Sequence, residues 1–226
     1  MLKSELKITE RKGLHYCADD GGNLKKFKPW LGDAFSFLYD FIMEKSIFPG
    51  KFGGELNKHY EILSNALSDV HGKRVLELAT GSGSAVYFLP SDNQYTGTDI
   101  SAGLLRQAVK RFRSAGFEQP VFYIAPADDL PFEDNSFDII LCILSLNFFD
   151  DIKKVFSEIH RVAASNAIFV CSVPVPERNK RKSKIRGILY SENELEKVCR
   201  DNGFNFKSIN IENGTLLYFR AILPKV

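Results

Sequence analysis

The chain has no long apolar run, no paired cysteines and almost no net charge, and each shortage removes a class of function. No stretch approaches the roughly 20 apolar residues that a membrane-spanning helix needs. The opening segment, MLKSELKITERKG, has no apolar core of the kind a secretory signal requires. The expectation is a cytoplasmic protein with no membrane partner. The four cysteines, Cys17, Cys142, Cys171 and Cys199, include no C-x-x-C pair, and Cys142 and Cys171 lie inside apolar runs. They read as buried thiols of a reducing compartment, not as disulfides or zinc ligands. No group of His, Cys and carboxylates points to a metal. Net charge is +2 over 226 residues, so no global field selects for nucleic acid or an anionic surface. There is no internal repeat and no low-complexity segment.

What is there centres on Lys73 to Phe88, KRVLELATGSGSAVYF. The run Val75-Leu76-Glu77-Leu78-Ala79 predicts a buried strand, Thr80 to Ser84 a tight glycine turn, and the residues beyond it the start of a helix. Glycine lets a ligand approach bare backbone, and a helix start would aim N–H groups at it.

Around this turn the chain alternates. Residues 1 to about 28 are polar and glycine-interrupted and show no period that assigns them an element. From Pro29, apolar residues at helical spacing (Trp30, Leu31, Ala34, Phe35, Leu38, Phe41, Ile42) predict a helix ending before Pro49-Gly50. A second helix is expected over Glu55 to Ser68, with Leu56, Tyr60, Leu63 and Leu67 on one face and His59 and His71 as surface or cap residues. Gln94 to Ile100 reads as a strand ending in an acid. Ser101 caps a helix closed by Gly116, and Val121 to Ala125, Phe137 to Leu144 and Ala167 to Val173 read as buried strands. The helix with Ile152, Val155, Phe156 and Ile159 inward carries His160 in a structural role. Ser191-Glu-Asn-Glu194 is a capping box, and Asn213-Gly214 between two strand-like runs signals a hairpin. Alternation of this kind predicts a mostly parallel sheet with helices on both faces.

Two phosphate motifs fail at specific positions. A P-loop ends in Gly-Lys-Ser/Thr, whereas Gly83 is followed by Ser84-Ala85. A dinucleotide fingerprint needs a third glycine where Val86 stands, which counts against NAD or FAD. What remains is Glu77 inside the first strand, the turn, and Asp99 closing the second, at about the 20-residue spacing of a ribose-binding carboxylate. Glu77 would fix the turn or attract an ammonium group. The alternative for Asp99 is an acid favoured by the following helix N-terminus.

On these residues the chain resembles class I S-adenosylmethionine-dependent methyltransferases, the broad group that includes small-molecule and quinone-pathway enzymes. Val75 to Gly83 is similar to the family's glycine motif, Tyr95 to Ser101 to its ribose-binding strand end, and Ala127 to Asp138 to its adenine loop and fourth strand. Lys153 to Val162 with Ala167 to Val173 is similar to its next helix and strand. The resemblance implies S-adenosylmethionine as cofactor, with Ala79, Thr80, Gly81 and Gly83 near its methionine part and Glu77 beside them. Asp99 would hold the ribose, Ile100 would lie against the adenine, and Ala127 and Asp128 would border the adenine edge. Cys142 and its neighbours at the end of the fourth strand would lie beneath the sulfonium, and Tyr39 would close over the cofactor. Three positions depart from the pattern: Ala79 replaces a common first glycine, Pro126 a common acid, and Ala164-Ser165-Asn166 a common Lys-Pro-Gly turn.

The implied chemistry is an in-line methyl displacement, for which the protein supplies position and desolvation. No general base stands out, His59 and His160 qualifying by residue type alone. An Asn-Pro-Pro-Tyr motif is missing where the chain reads Leu144-Ser-Leu-Asn-Phe-Phe149, which argues against methylation of nucleic-acid bases. The one strong charge cluster, Glu177 to Arg186, reads either as a solvated loop or as an electropositive lid that would favour an anionic acceptor. The sequence thus predicts a Rossmann-like, doubly wound, mostly parallel seven-stranded α/β sheet with a C-terminal antiparallel hairpin, spanning residues 73–226. Residues 1–72 are expected to form an N-terminal arm and helical cover. The expected partner is a small-molecule acceptor. A non-catalytic S-adenosylmethionine-binding sensor or partner subunit, an RNA methyltransferase and an NAD-dependent oxidoreductase are the alternatives, and nothing specifies the acceptor or an oligomeric state.

Overall fold

The computed structural model of the protein describes residues 2–4, 6–18, 24, 27 and 39–225. The strands are β1 (Ile8–Arg11), β2 (Leu14–Cys17), β3 (Arg74–Leu78), β4 (Gln94–Asp99), β5 (Val121–Ile124), β6 (Phe137–Ile143), β7 (Ala163–Pro174), β8 (Asn205–Asn213) and β9 (Leu216–Ile222). They form one sheet in the order β1-β2-β5-β4-β3-β6-β7-β9-β8. From β2 to β7 every neighbouring pair is parallel, while β9 lies antiparallel between β7 and β8. The mostly parallel sheet and its final hairpin are as the alternation predicts. β3 sits at the centre of the order, so the glycine turn leaves the sheet from its central strand.

The seven expected strands are β3 to β9; β1 and β2 are two more. They form an antiparallel hairpin that turns through Lys12 and Gly13, both at positive φ (55° and 75°). That is the geometry of a two-residue hairpin loop. Two registered pairs, His15 with Tyr123 and Tyr16 with Ile124, attach β2 to β5. Strands of four residues, ITER and LHYC, without clean alternation, carry too little pattern to be read from sequence.

Five helices are present among the described residues. α1 opens as Tyr39–Ile42 and continues as wider, π-helical turns over Met43–Phe52. The expected stop before Pro49 is therefore overturned. Proline lacks the N–H for a normal helical bond, and the wider turns carry the chain past it to Gly53. The first part of the expected helix, from Pro29 to Leu38, lies outside the described residues. α2 is Leu56–Ala66, α3 Ala102–Ser114, α4 Ile152–Val162 and α5 Glu192–Asp201. Ser101 caps α3, Asp151 caps α4, and Ser191 with Glu194 forms the full capping box of α5.

Each face of the sheet carries its own core. Leu76, Leu78, Ile140 and Cys142 pack with Phe156 of α4 and Leu195 of α5. Val75, Leu141 and Ile143 pack on the other side with Leu63 of α2 and Phe112 of α3. The period of two along a strand decides which residue sees which face. Glu77 shares the face of Val75 and Ile143, the one covered by α2. All four cysteines are buried and free.

Candidate functional site

The expected helix after the glycine turn is only a four-residue 3₁₀ segment, Ser84–Tyr87. A single tight turn presents no helix terminus for an anion, and the site is organised by carboxylates instead. Glu77 is 2% exposed. Its Oε2 accepts the Tyr95 hydroxyl proton, and its backbone carbonyl accepts from Thr80 Oγ1 at 3.2 Å and Thr98 Oγ1 at 3.1 Å. Burial is the main cause that pushes the Glu77 carboxyl up to about 8, opposed by the Tyr95 hydrogen bond and reinforced by Asp99. Gly97 lies directly across from Glu77 in the register of β3 and β4. A Cβ there would stand 2.7 Å from Thr80 Oγ1 and 3.1 Å from the Tyr95 ring, so a bare backbone at Gly97 lets both hydroxyls reach the acid.

Asp99 ends β4 with both carboxylate oxygens oriented by backbone. Oδ2 accepts from Gly81 N at 2.9 Å and Oδ1 from Ser101 N at 2.8 Å. The carboxylate therefore ties the glycine turn to the start of α3. Ala79 and Gly81 both have positive φ (50° and 58°), which explains why a glycine is common at the position of Ala79. Gly83, at φ +85°, packs so closely that a Cβ would lie 2.9 Å from Ala108 Cα. Gly83→Ala should destabilise the protein by about 3 kcal/mol, combining left-handed strain with overpacking; chemical denaturation would measure it, and a loss below 1 kcal/mol would show that α3 gives way.

A cavity of about 300 Å³ opens beside this turn, at the low end of small-ligand pockets. It is lined by Glu77, Ala79, Thr80, Gly81 and Ser82 of the strand end and turn, and by Phe48, Leu56, His59, Tyr60, Tyr87 and Leu144. α1 is fastened over it by Asp40, which accepts from Ser82 Oγ at 2.7 Å and pairs with Arg111. Arg111 in turn lies 5.5 Å from the Tyr87 ring centre.

The structure brings Glu77, Ala79, Thr80 and Gly81 together at this cavity, with Asp99 touching Gly81 from behind. Ile100 is exposed beside Asp99, Ala127 is buried, and Asp128 is exposed; none of the three lines the cavity. Gly83 stands behind the turn, against α3. Cys142 is fully buried on the opposite face of the sheet, among the α4 and α5 core. Its neighbours Ile143 and Leu144 line the cavity instead, as the alternation along β6 requires. Tyr39 opens α1, and its side chain lies outside what the structure describes. His160 makes a structural bond, Nδ1 to Asn202 O at 2.9 Å. His71 is exposed beside Asp92.

His59 reverses its expected surface position. It is 1% exposed, and burial lowers its pKa to about 3. The face of α2 that packs inward is His59, Ile62, Leu63 and Ala66. A histidine among aliphatics on an amphipathic helix gave no sign of which face it joins; Tyr95, Gly97 and Asp40 were equally silent, because their roles come from cross-strand and cross-element contacts.

Comparison with known proteins adds four observations. Residues 76–171 match a family model described as a methyltransferase domain. The demethylmenaquinone methyltransferase of Thermotoga maritima is 29% identical over 174 residues, covering 76% of this chain and 70% of that protein. The ubiquinone/menaquinone biosynthesis C-methyltransferase UbiE of Desulfotalea psychrophila is 33% identical over 106 residues, 46% of this chain and 42% of that protein. Among solved structures, a SAM-dependent methyltransferase from Aquifex aeolicus superposes with a TM-score of 0.64 at 18% identity, over 88% of this chain and all of the other.

Proposed function

We propose that the chain is a class I S-adenosylmethionine-dependent methyltransferase that methylates a small organic acceptor held between the glycine turn and the residues of α1 and α2 that line the cavity. The observation that carries this is a cavity lined by a buried acid, the glycine turn and aromatic side chains together.

The residues fit the family's cofactor. Glu77 would take its ammonium group, for which a carboxyl that ionises reluctantly in isolation is a suitable partner. Ala79, Thr80 and Gly81 would border its amino-acid part, and Asp99 would accept the ribose hydroxyls. Ile100, Ala127 and Asp128, close to Asp99 in sequence or across β5, would flank the adenine. The bound cofactor supplies the electrophilic methyl group. The chain's own contribution is to hold the acceptor in line, to exclude water with α1 and α2, and to keep Glu77 and Asp99 oriented. Residues 39–72 act as cover, with the Asp40–Ser82–Arg111 contact fastening them to the turn.

An acceptor of quinone type is supported by the names of the relatives. An anionic one is favoured by the basic segment, since Arg181 donates to Pro49 O of α1 at 3.2 Å and so sits beside the cavity's cover. Against nucleic acid stand the small net charge and the lack of an Asn-Pro-Pro-Tyr run after β6. Calorimetry separates the readings: S-adenosylmethionine and S-adenosylhomocysteine should bind, and NAD should not. Mass spectrometry of ligand carried through purification would identify the cofactor independently. NAD binding without S-adenosylmethionine binding would overturn the proposal, and cofactor binding without turnover of any acceptor would favour a sensor.

A further inference from the structure

We propose that His59 is the donor that selects and orients the methyl acceptor: its Nε2–H bonds an unprotonated oxygen, whether carbonyl, enolate or phenolate, on a planar and otherwise apolar molecule. This rests on the methyltransferase reading of the same cavity.

A chain of hydrogen bonds sets the His59 tautomer. Glu55 fixes the Asn213 amide from both sides: Glu55 N donates to Oδ1 at 2.8 Å, and Nδ2 donates to Glu55 O at 3.0 Å. With that orientation set, Nδ2 also donates to Tyr218 Oη at 3.0 Å. Tyr218 Oη, already an acceptor, has one proton left, and His59 Nδ1 lies 2.9 Å away to receive it. A neutral histidine that accepts at Nδ1 carries its proton on Nε2. The opposite tautomer would leave the Tyr218 hydroxyl proton, in a fully buried residue, without a partner.

Nε2 has no hydrogen-bond partner among the described residues, yet it is not one of the sealed, unsatisfied atoms of the core. His59 lines the cavity, and Tyr218 does not. The Nε2 edge is therefore the one turned to the cavity. The cavity is lined by the apolar Phe48, Leu56, Ile143 and Leu144 together with Tyr60 and the polar Asn57, Glu77 and Thr80, and in such a mixed lining one donor fixed in direction orients an acceptor oxygen. A histidine held neutral with its outward nitrogen protonated cannot act as a base from that nitrogen. It suits an acceptor whose oxygen needs no proton removed, in keeping with a displacement driven by the cofactor's own electrophile.

The test uses 4-nitrophenol at about pH 8, where the phenolate is the main species, with the intact protein saturated by S-adenosylhomocysteine. Nitrobenzene is the control that lacks the oxygen. The wild type should bind 4-nitrophenolate with its visible band at shorter wavelength than in the His59→Asn complex, the signature of a donated hydrogen bond. His59→Asn keeps an acceptor for Tyr218 near Nδ1 and removes the outer donor; it should bind at least tenfold more weakly and lose the band shift. His59→Gln restores a donor near Nε2 and should recover most of both. Nitrobenzene should bind all three proteins alike. Unchanged S-adenosylhomocysteine affinity verifies that the variants are folded. If His59→Asn binds with wild-type affinity and band position, or if the wild type binds the phenolate no better than nitrobenzene, the inference is overturned while the cofactor reading stands. If the wild type does not bind S-adenosylhomocysteine, the methyltransferase reading itself fails, and this inference with it.

Discussion

Asp99→Ala should weaken S-adenosylmethionine binding by a hundredfold or more while leaving a folded protein. The two backbone donors, Gly81 N and Ser101 N, hold the carboxylate in one orientation. Each carboxylate oxygen has more than one acceptor site, so the group can take ribose hydroxyls without releasing the backbone. Hydrogen bonds to a charged group contribute about 1.5–3 kcal/mol each. Losing two gives about 3 kcal/mol or more, which is the hundredfold factor. Stability should fall as well, by about 1–3 kcal/mol, because the variant leaves both N–H groups short of a partner near the start of α3. Calorimetry with thermal denaturation of the same samples would separate the two effects. Should the folded variant bind within threefold of the parent, Asp99 serves only to tie the turn to α3.

Glu77→Gln should do the opposite to stability and the same to binding. Glu77 titrates near 8 in the folded protein, against about 4.5 for a free glutamate. A folded-state pKa raised in this way means that the folded chain holds a proton the unfolded chain has lost. The protein is then most stable below the unfolded value, and stability declines as pH rises through about 4.5 to 8. Glutamine keeps an oxygen for the Tyr95 hydroxyl and has no charge to bury. The variant should therefore lose this pH slope and gain about 2 kcal/mol or more at the alkaline end, roughly 5 °C in a chain of this size. It should bind S-adenosylmethionine more than tenfold less tightly, since the ammonium group would meet a neutral amide. Near pH 7 the wild type should release a proton on binding, visible as a dependence of the calorimetric heat on buffer ionisation, and the variant should not. A wild-type protein whose stability is flat from pH 5 to 8 would remove the basis for both halves. A gain in stability coupled to loss of binding is what a strained binding site predicts.

Much of the fold was legible because it follows from local pattern. The continuous apolar runs of β3, β6 and β7 mark strands covered on both faces, and the caps Ser101 and Ser191 announce their helices through a hydroxyl at the right offset. The family motifs were legible for the same reason: Glu77, Gly81, Gly83 and Asp99 lie within one strand-turn-strand segment. The failures share a cause as well. The N-terminal hairpin is stabilised by attachment to β5, which no local pattern reports. The continuation of α1 past Pro49 depends on wide turns and on contacts such as Thr215 N with Phe52 O at 2.8 Å.

By itself, then, the sequence determined the order of the strands from β3 onward and of the helices α3 to α5, the glycine turn and the pair of acids at neighbouring strand ends, since these depend on residue type and spacing. The tertiary structure decided what those acids do and what faces them. Burial, opposed by the Tyr95 hydroxyl that reaches the acid across Gly97, makes Glu77 a reluctant carboxylate. The two-residue period of β6 turns Cys142 away and brings Ile143 to the cavity. His59 acquires its one proton direction from Tyr218 and Asn213, more than 150 residues further along the chain. Desolvation and hydrogen-bond direction depend on neighbours that only folding assembles.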